Sequence, residues 1–164
     1  METINQKLVF EHAMQIFGVV PGIVKELAER SPQAAYVFTE ANRIMEGASF
    51  NSLEINAIEL KISVLNKCTS CIKGHSYLLK KEGMNEEDIK SIIANGNPQS
   101  ERLRTLLEAT ENIYYAGSDI YPAQVRDALQ ENLSDREITE IIALIGIKTI
   151  ANYQNNYLES LKNK

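Results

Sequence analysis

The sequence predicts an all-α protein, and three observations carry that reading. Apolar residues recur every three or four positions along nearly the whole chain, no alternating run bounded by turn residues marks a strand, and Ser, Asn, Pro and Gly stand where helices start and stop. The first helix covers roughly 3–16 and is stopped by Gly18. Pro21 opens a short helix to about Arg30, because its fixed φ suits a first turn. Ser31-Pro32 opens the third, with Ser as cap and Pro at the first helical position, and Gly47 closes it.

Asn51 or Ser52 caps a helix through about Leu65, and Asn66-Lys67 breaks it before a helix that holds both cysteines and ends near Gly83. Asn85-Glu86-Glu87-Asp88 starts another, Gly96-Asn97-Pro98 ends it, and a long helix runs from about Pro98 to Tyr115. Gly117 to Pro122 reads as a turn, and a helix begins near Pro122. Ser134-Asp135-Arg136-Glu137 has capping-box spacing and launches the final helix toward Leu161. One echo recurs: Glu54-Ile55-x-x-Ile58 and Glu137-Ile138-x-x-Ile141 both precede long helices, a pattern better read as two ordinary core helices than as a duplication.

Of the 164 residues, 44% are hydrophobic, enough for a substantial core without disulfide staples. The formal net charge of −5 argues against a phosphate-backbone partner, so no nucleic acid is expected. No stretch approaches the roughly 20 apolar residues of a membrane span. The start, Met1-Glu2-Thr3-Ile4-Asn5-Gln6-Lys7, lacks the features of a signal peptide, and the expectation is a soluble cytoplasmic protein without a membrane partner. No linker or low-complexity run divides the chain.

Chemistry concentrates in Asn66-Lys67-Cys68-Thr69-Ser70-Cys71-Ile72-Lys73-Gly74-His75, which holds both cysteines and one of the two histidines. A pair this close closes almost no loop, so its use is chemical rather than structural. On a helix, Cys71 falls about 300° and His75 about 340° round from Cys68, which puts all three on one narrow face. There an imidazole can take a thiol proton, and a helix N-terminus favours the thiolate. A free thiol of pKa about 8.5 is only about 3% ionised at pH 7, and lowering it by about 1.5 multiplies the reactive form more than tenfold. The second thiol can resolve a sulfenic acid to a disulfide before it over-oxidises. Random placement would give this spacing on the order of once in ten thousand chains, so accident explains it poorly.

Rival readings are weaker. Zinc would find only three ligands in Cys68, Cys71 and His75 and would need a fourth from His12 or a carboxylate. Covalent haem wants histidine directly after the second cysteine, where Ile72 stands, and a thioredoxin-type domain wants strands.

On Asn66-x-Cys68-x-x-Cys71-x-x-x-His75, on Phe17-Gly18-Val19-Val20-Pro21 and more loosely on Ala151-Asn152-Tyr153, the chain resembles the alkylhydroperoxidase, or carboxymuconolactone decarboxylase, family in its AhpD-like branch. The resemblance implies a single AhpD-like multi-helix bundle over 1–164, with the redox pair at the start of a central helix. It also implies a thiol peroxidase that reduces organic hydroperoxides, needs no cofactor, is re-reduced by a dithiol or lipoyl-type reductant protein, and assembles as a homo-oligomer, a trimer or a multiple of three. By position, Cys71 attacks the hydroperoxide, Cys68 resolves it and His75 relays protons. The decarboxylase branch generally lacks the cysteine pair.

The chain departs from that family at one position: a glutamate twelve residues before the first cysteine is replaced by Asn56, which exchanges no proton at neutral pH. Glu59, about one turn on, is the candidate substitute, expected at the edge of a buried face of Ile55, Ile58, Ile62 and Leu65 without a basic partner nearby in sequence. His12 reads as a packing histidine, Lys73 as a solvated lysine, and Tyr114 and Tyr115 as core or interface. Two alternatives stand beside the peroxidase: a non-catalytic redox-sensing or zinc-binding helical module, and a decarboxylase-like enzyme in which His75 is a base toward a small organic acid.

Overall fold

The structure, a computed structural model, describes residues 3–117 and 119–162. Among these there are nine α-helices and no strand, which bears out the all-α reading. Met1 and Glu2, and Ser118 within the expected Gly117–Pro122 turn, lie outside the described residues.

The chain forms two compact units, one of Met1–Gly47 with Gln154–Lys164 and one of Ala48–Tyr153. In the first, α1 (Gln6–Phe17), α2 (Gly22–Arg30) and α3 (Pro32–Met45) pack on one another. Asn5 caps α1 on the Leu8 amide, Gly18 ends it at φ 68°, and Ser31 caps α3 on the Ala34 amide with Pro32 in the first turn. Proline and glycine thus sit where their backbone limits favour them. His12 is a packing histidine, as expected. Its Nε2 lies 2.9 Å from Glu40 Oε2 and its ring stacks on Tyr36.

The second unit is arranged around α4 (Ser52–Leu65), which packs against α5 (Thr69–Lys81), α6 (Glu86–Ile93) and α7 (Glu101–Ala116); α8 (Ala123–Asn132) packs on α7. The last helix, α9 (Asp135–Lys162), supplies residues to both units. Every residue of α4 from Ala57 to Ser63 is buried, so this helix has no solvent edge in its middle. One face joins Ala57 and Leu60 to Leu79, Met84, Ile89, Ile92, Leu103 and Leu107 in a single apolar cluster. Each fully buried Leu or Ile there contributes about 1.5–3 kcal/mol.

The two echoed segments are both capping boxes. Asn51 pairs with Glu54, and Ser134 with Glu137, each carboxylate returning to its own cap amide. Arg102 of α7 then donates to both glutamates, so one guanidinium ties the start of α4 to the start of α9. The seventh helix begins at Glu101 rather than near Pro98. The Gln99 amide donates to Asp88 Oδ1 instead of entering a helix, and Ser100 Oγ takes the cap role on the Leu103 amide.

The turn after α4 positions the cysteines. Cys68 N–H returns to the Ser63 carbonyl and Lys67 N–H to that of Val64, a Schellman closure in which Lys67 has φ 55°. Glycine is the usual residue there, and a Lys accepts the left-handed conformation at a cost of about 1–2 kcal/mol. Buried amides hold the turn in place. Asn66 Nδ2 donates to Asn152 Oδ1, Asn152 Nδ2 to Ser63 Oγ, Ser63 Oγ to the Glu59 carbonyl, and Tyr114 Oη to Asn66 Oδ1. Asn152 is fully buried, so Asn152→Leu takes one hydrogen-bond partner each from Asn66 and Ser63, both shielded from solvent. Chemical denaturation should show a loss of about 2–3 kcal/mol; a change below about 0.5 kcal/mol, the level of an ordinary surface substitution, would remove the network from the fold's support.

Candidate functional site

The closing turn of α4 runs straight into α5, so Cys68 is both the last residue of one closure and the N-cap of the next helix. No side-chain hydrogen bond caps α5, and Cys68 Sγ stands where a Ser or Asp oxygen would. Cys71 is the third helical residue, within the first turn. The sequence reading put Cys68 inside the helix; the structure puts it one step before. The sulfurs still meet, because the turn brings the two Cα atoms to 5.3 Å and a disulfide joins them. Both sulfurs sit at the positive end of α5, which favours a thiolate when the bond is reduced. Cys68 is fully buried and Cys71 is 7% exposed, so approach from solvent falls on Cys71. Ser70 Oγ lies 3.6 Å from Cys68 Sγ, and Lys73 is exposed, as expected of a solvated lysine.

His75, one turn beyond Cys71, is buried. Its Nδ1 lies 3.1 Å from Asn56 Oδ1 and 3.5 Å from Glu59 Oε2. Both α4 residues weighed in the sequence for the proton relay therefore converge on one ring nitrogen. The spacing explains it, since residues three apart on a helix share a face.

Glu59 differs from expectation in two respects. It is buried in the middle of α4 instead of projecting from an edge, because the helix is covered on every side. It also has a basic partner, Lys148 Nζ at 3.8 Å, from α9. Burial raises the Glu59 carboxyl above the usual carboxylate range, and the Lys148 charge opposes this. Burial lowers the Lys148 amine, with Glu59 opposing. Burial and then the Lys148 charge depress His75 well below an ordinary histidine, so its ring is neutral at pH 7.

Sequence reasoning missed Lys148. Its signal was present: it is the single charge in the run Ile141-Ile142-Ala143-Leu144-Ile145-Gly146-Ile147-Lys148-Thr149-Ile150, and a lone cation in an apolar helix face needs a buried partner. Tyr114, read as a core residue, also orders the cysteine turn through Asn66. Among the described residues no group of three or more His, Cys, Asp and Glu side chains is arranged to hold a metal ion.

Fold and site together define an all-helical protein whose CxxC disulfide, at the start of a helix, stands one turn from a buried neutral histidine. The profile of the Carboxymuconolactone decarboxylase family matches residues 33–112, a span that contains Asn56, Glu59, both cysteines and His75. Over that segment, just under half of the chain, it is similar to this family. Two solved structures share its fold. An uncharacterised peroxidase-related protein from Silicibacter sp. TM1040 aligns with a TM-score of 0.73 at 20% identity, over 98% of this chain and 85% of that one. A protein of unknown function from Agrobacterium tumefaciens, provisionally described as an AhpD antioxidant defence protein, aligns with a TM-score of 0.64 at 24% identity, over 84% of this chain and 93% of that one. No curated protein matches significantly.

The electrostatics make one expectation specific. Lys148→Met removes the charge that depresses His75 and opposes the rise at Glu59, so His75 should titrate at higher pH than in the wild type, and Glu59 should rise further. An NMR titration of the His75 ring checks this, and an unchanged midpoint would mean that Lys148 does not act on the histidine.

Proposed function

We propose that the protein is a thiol-dependent hydroperoxide reductase that cycles between a Cys68/Cys71 dithiol and their disulfide. The observation that carries this reading is the disulfide at the start of α5, one helical turn from a histidine kept neutral by burial. In the reduced protein His75 accepts the Cys71 proton, and the thiolate attacks the distal oxygen of an organic hydroperoxide. The O–O bond breaks, the alkoxide leaves as an alcohol with a proton returned through His75, and Cys71 becomes a sulfenic acid. The Cys68 thiol then attacks that sulfur, the S–S bond forms and water leaves. A dithiol of lipoyl type reduces the disulfide by exchange and is itself oxidised, which closes the cycle with no cofactor in the site.

Glu59 completes the relay in this reading. Protonation of His75 creates a cation 3.5 Å from the Glu59 carboxyl, which can balance it or take up the proton. Cytoplasmic residence fits such a cycle, because a reducing compartment keeps the pair in turnover. Assembly as a homo-oligomer, a trimer or a multiple of three, belongs to the same proposal. Among the described residues no helix is long and apolar enough to cross a membrane.

Consumption of cumene hydroperoxide with a dihydrolipoyl reductant tests it. Cys71→Ser and Cys68→Ser should each abolish turnover. His75→Ala should slow it by about 100-fold or more and raise the pH at which Cys71 becomes reactive; Glu59→Gln should slow it less, since the histidine remains. Disulfide formation without turnover would make the protein a redox sensor. A wild type that leaves peroxide untouched and both thiols free would overturn the reading.

A further inference from the structure

We propose that Asn56 is the positioning residue of His75: its carboxamide keeps the imidazole proton on Nδ1, so that Nε2 carries the lone pair that receives the Cys71 proton. The second half of this statement rests on the reading of His75 as thiol base.

The two ends of the Asn56 amide are distinguishable by their neighbours. Nδ2 lies 3.1 Å from the Ser52 carbonyl oxygen and 3.1 Å from Glu82 Oε1, and both of these atoms only accept hydrogen bonds. The amine end must therefore face them. Glu82 is in turn fixed by a hydrogen bond from Ser52 Oγ. A reversed amide would set its oxygen against two other oxygens and lose both bonds. The orientation leaves Oδ1 toward the ring, 3.1 Å from His75 Nδ1. An amide oxygen only accepts, so Nδ1 must donate. In a neutral imidazole with its proton on Nδ1, Nε2 is the basic nitrogen.

The other charged groups facing the ring could not set this direction. Glu59, from α4, approaches the same Nδ1 at 3.5 Å, beyond a good hydrogen bond, and a carboxyl changes from acceptor to donor as it gains a proton. Lys148, from α9 and paired with Glu59, acts on the ring by its charge. Asn56 has no titration in any accessible range, so the tautomer it imposes does not depend on where the Glu59–Lys148 pair keeps its proton. A carboxylate at position 56 would orient the ring equally well but would add a negative charge and make His75 more basic. The carboxamide separates the two effects: it orients the ring and adds no charge.

The test is ring 15N NMR of the reduced full-length protein, with His12→Gln used to assign the His75 signals. The wild type should show a protonated Nδ1 and an unprotonated Nε2. In Asn56→Leu, close in volume but without an acceptor, the two tautomers should mix, and alkylation of Cys71 by iodoacetamide at neutral pH should slow by at least about tenfold. Asn56→Asp retains the acceptor; it should keep the Nδ1 proton and move the His75 titration to higher pH. A residue that merely supported packing would not separate Leu from Asp in this way. An Nε2–H tautomer in the wild type overturns the proposal even if neither variant folds, and so does a wild-type spectrum in Asn56→Leu. Should His75→Gln leave Cys71 alkylation unchanged, the thiol-base reading falls, while the spectrum alone still decides whether Asn56 sets the tautomer.

Discussion

A helix that is buried on every side and carries Glu59, Lys61 and Ser63 must find a partner for each of them, and the second unit is arranged to do so. The middle of α4 is shielded from solvent, and an unpaired polar group there costs more than a satisfied one contributes. Lys61 is met by Glu111 of α7 at 2.6 Å and by Asn95 Oδ1 at 3.1 Å. Ser63 uses its own helix, through the Glu59 carbonyl, and Asn152 of α9. Glu59 is met by Lys148 and faces His75. Every helix that touches α4 with a polar side chain is thereby fixed in rotation as well as in position. The apolar cluster supplies the driving force; these pairs specify the arrangement.

The site is a consequence of that same requirement. The Asn66–Asn152 amide pair and the Tyr114 hydroxyl hold the turn that closes α4, and this turn delivers Cys68 to the N-cap of α5. Lys67 accepts a left-handed backbone to make the passage so short. A longer connection would relieve Lys67 but would separate Cys68 from the helix terminus. Strain at one residue is thus exchanged for the position of a sulfur.

The helices were legible because their ends are written in local chemistry. Ser31, Asn51, Asn85 and Ser134 are caps by residue type and lie within a few residues of what they cap, whereas Asn5, the cap of α1, was placed inside a helix expected from about residue 3. The start of α7 was misread because Pro98 carries the local signal for a helix start, whereas the Gln99 amide is drawn to Asp88, eleven residues earlier. The cysteines and His75 were legible as a motif, and Glu59 as a candidate, since they fall within 17 residues of one another. Lys148 was not, because its meaning comes from a carboxylate 89 residues away. Asn56 shows a subtler limit. Its identity was read as a loss, a carboxylate replaced by a group that cannot move a proton; in the tautomer proposed above it is a group that directs one.

The placement of charge follows from these contacts. A relay with a carboxylate directly on His75 would hold the ring closer to its protonated form, and a protonated ring cannot take a proton from a thiol. Here the residue in hydrogen-bond contact is neutral, and the carboxyl that faces the ring is shared with a lysine. Lys148 disfavours the imidazolium and Glu59 can stabilise it, so the two groups oppose one another across a few ångströms. The ring is consequently a weak base at rest. The thiolate does not have to be held by a permanent imidazolium, because both sulfurs already lie at the amino end of α5. In the proposed cycle the helix terminus weakens the hold of Cys71 on its proton and the neutral histidine receives that proton, and a histidine already charged could not do the second.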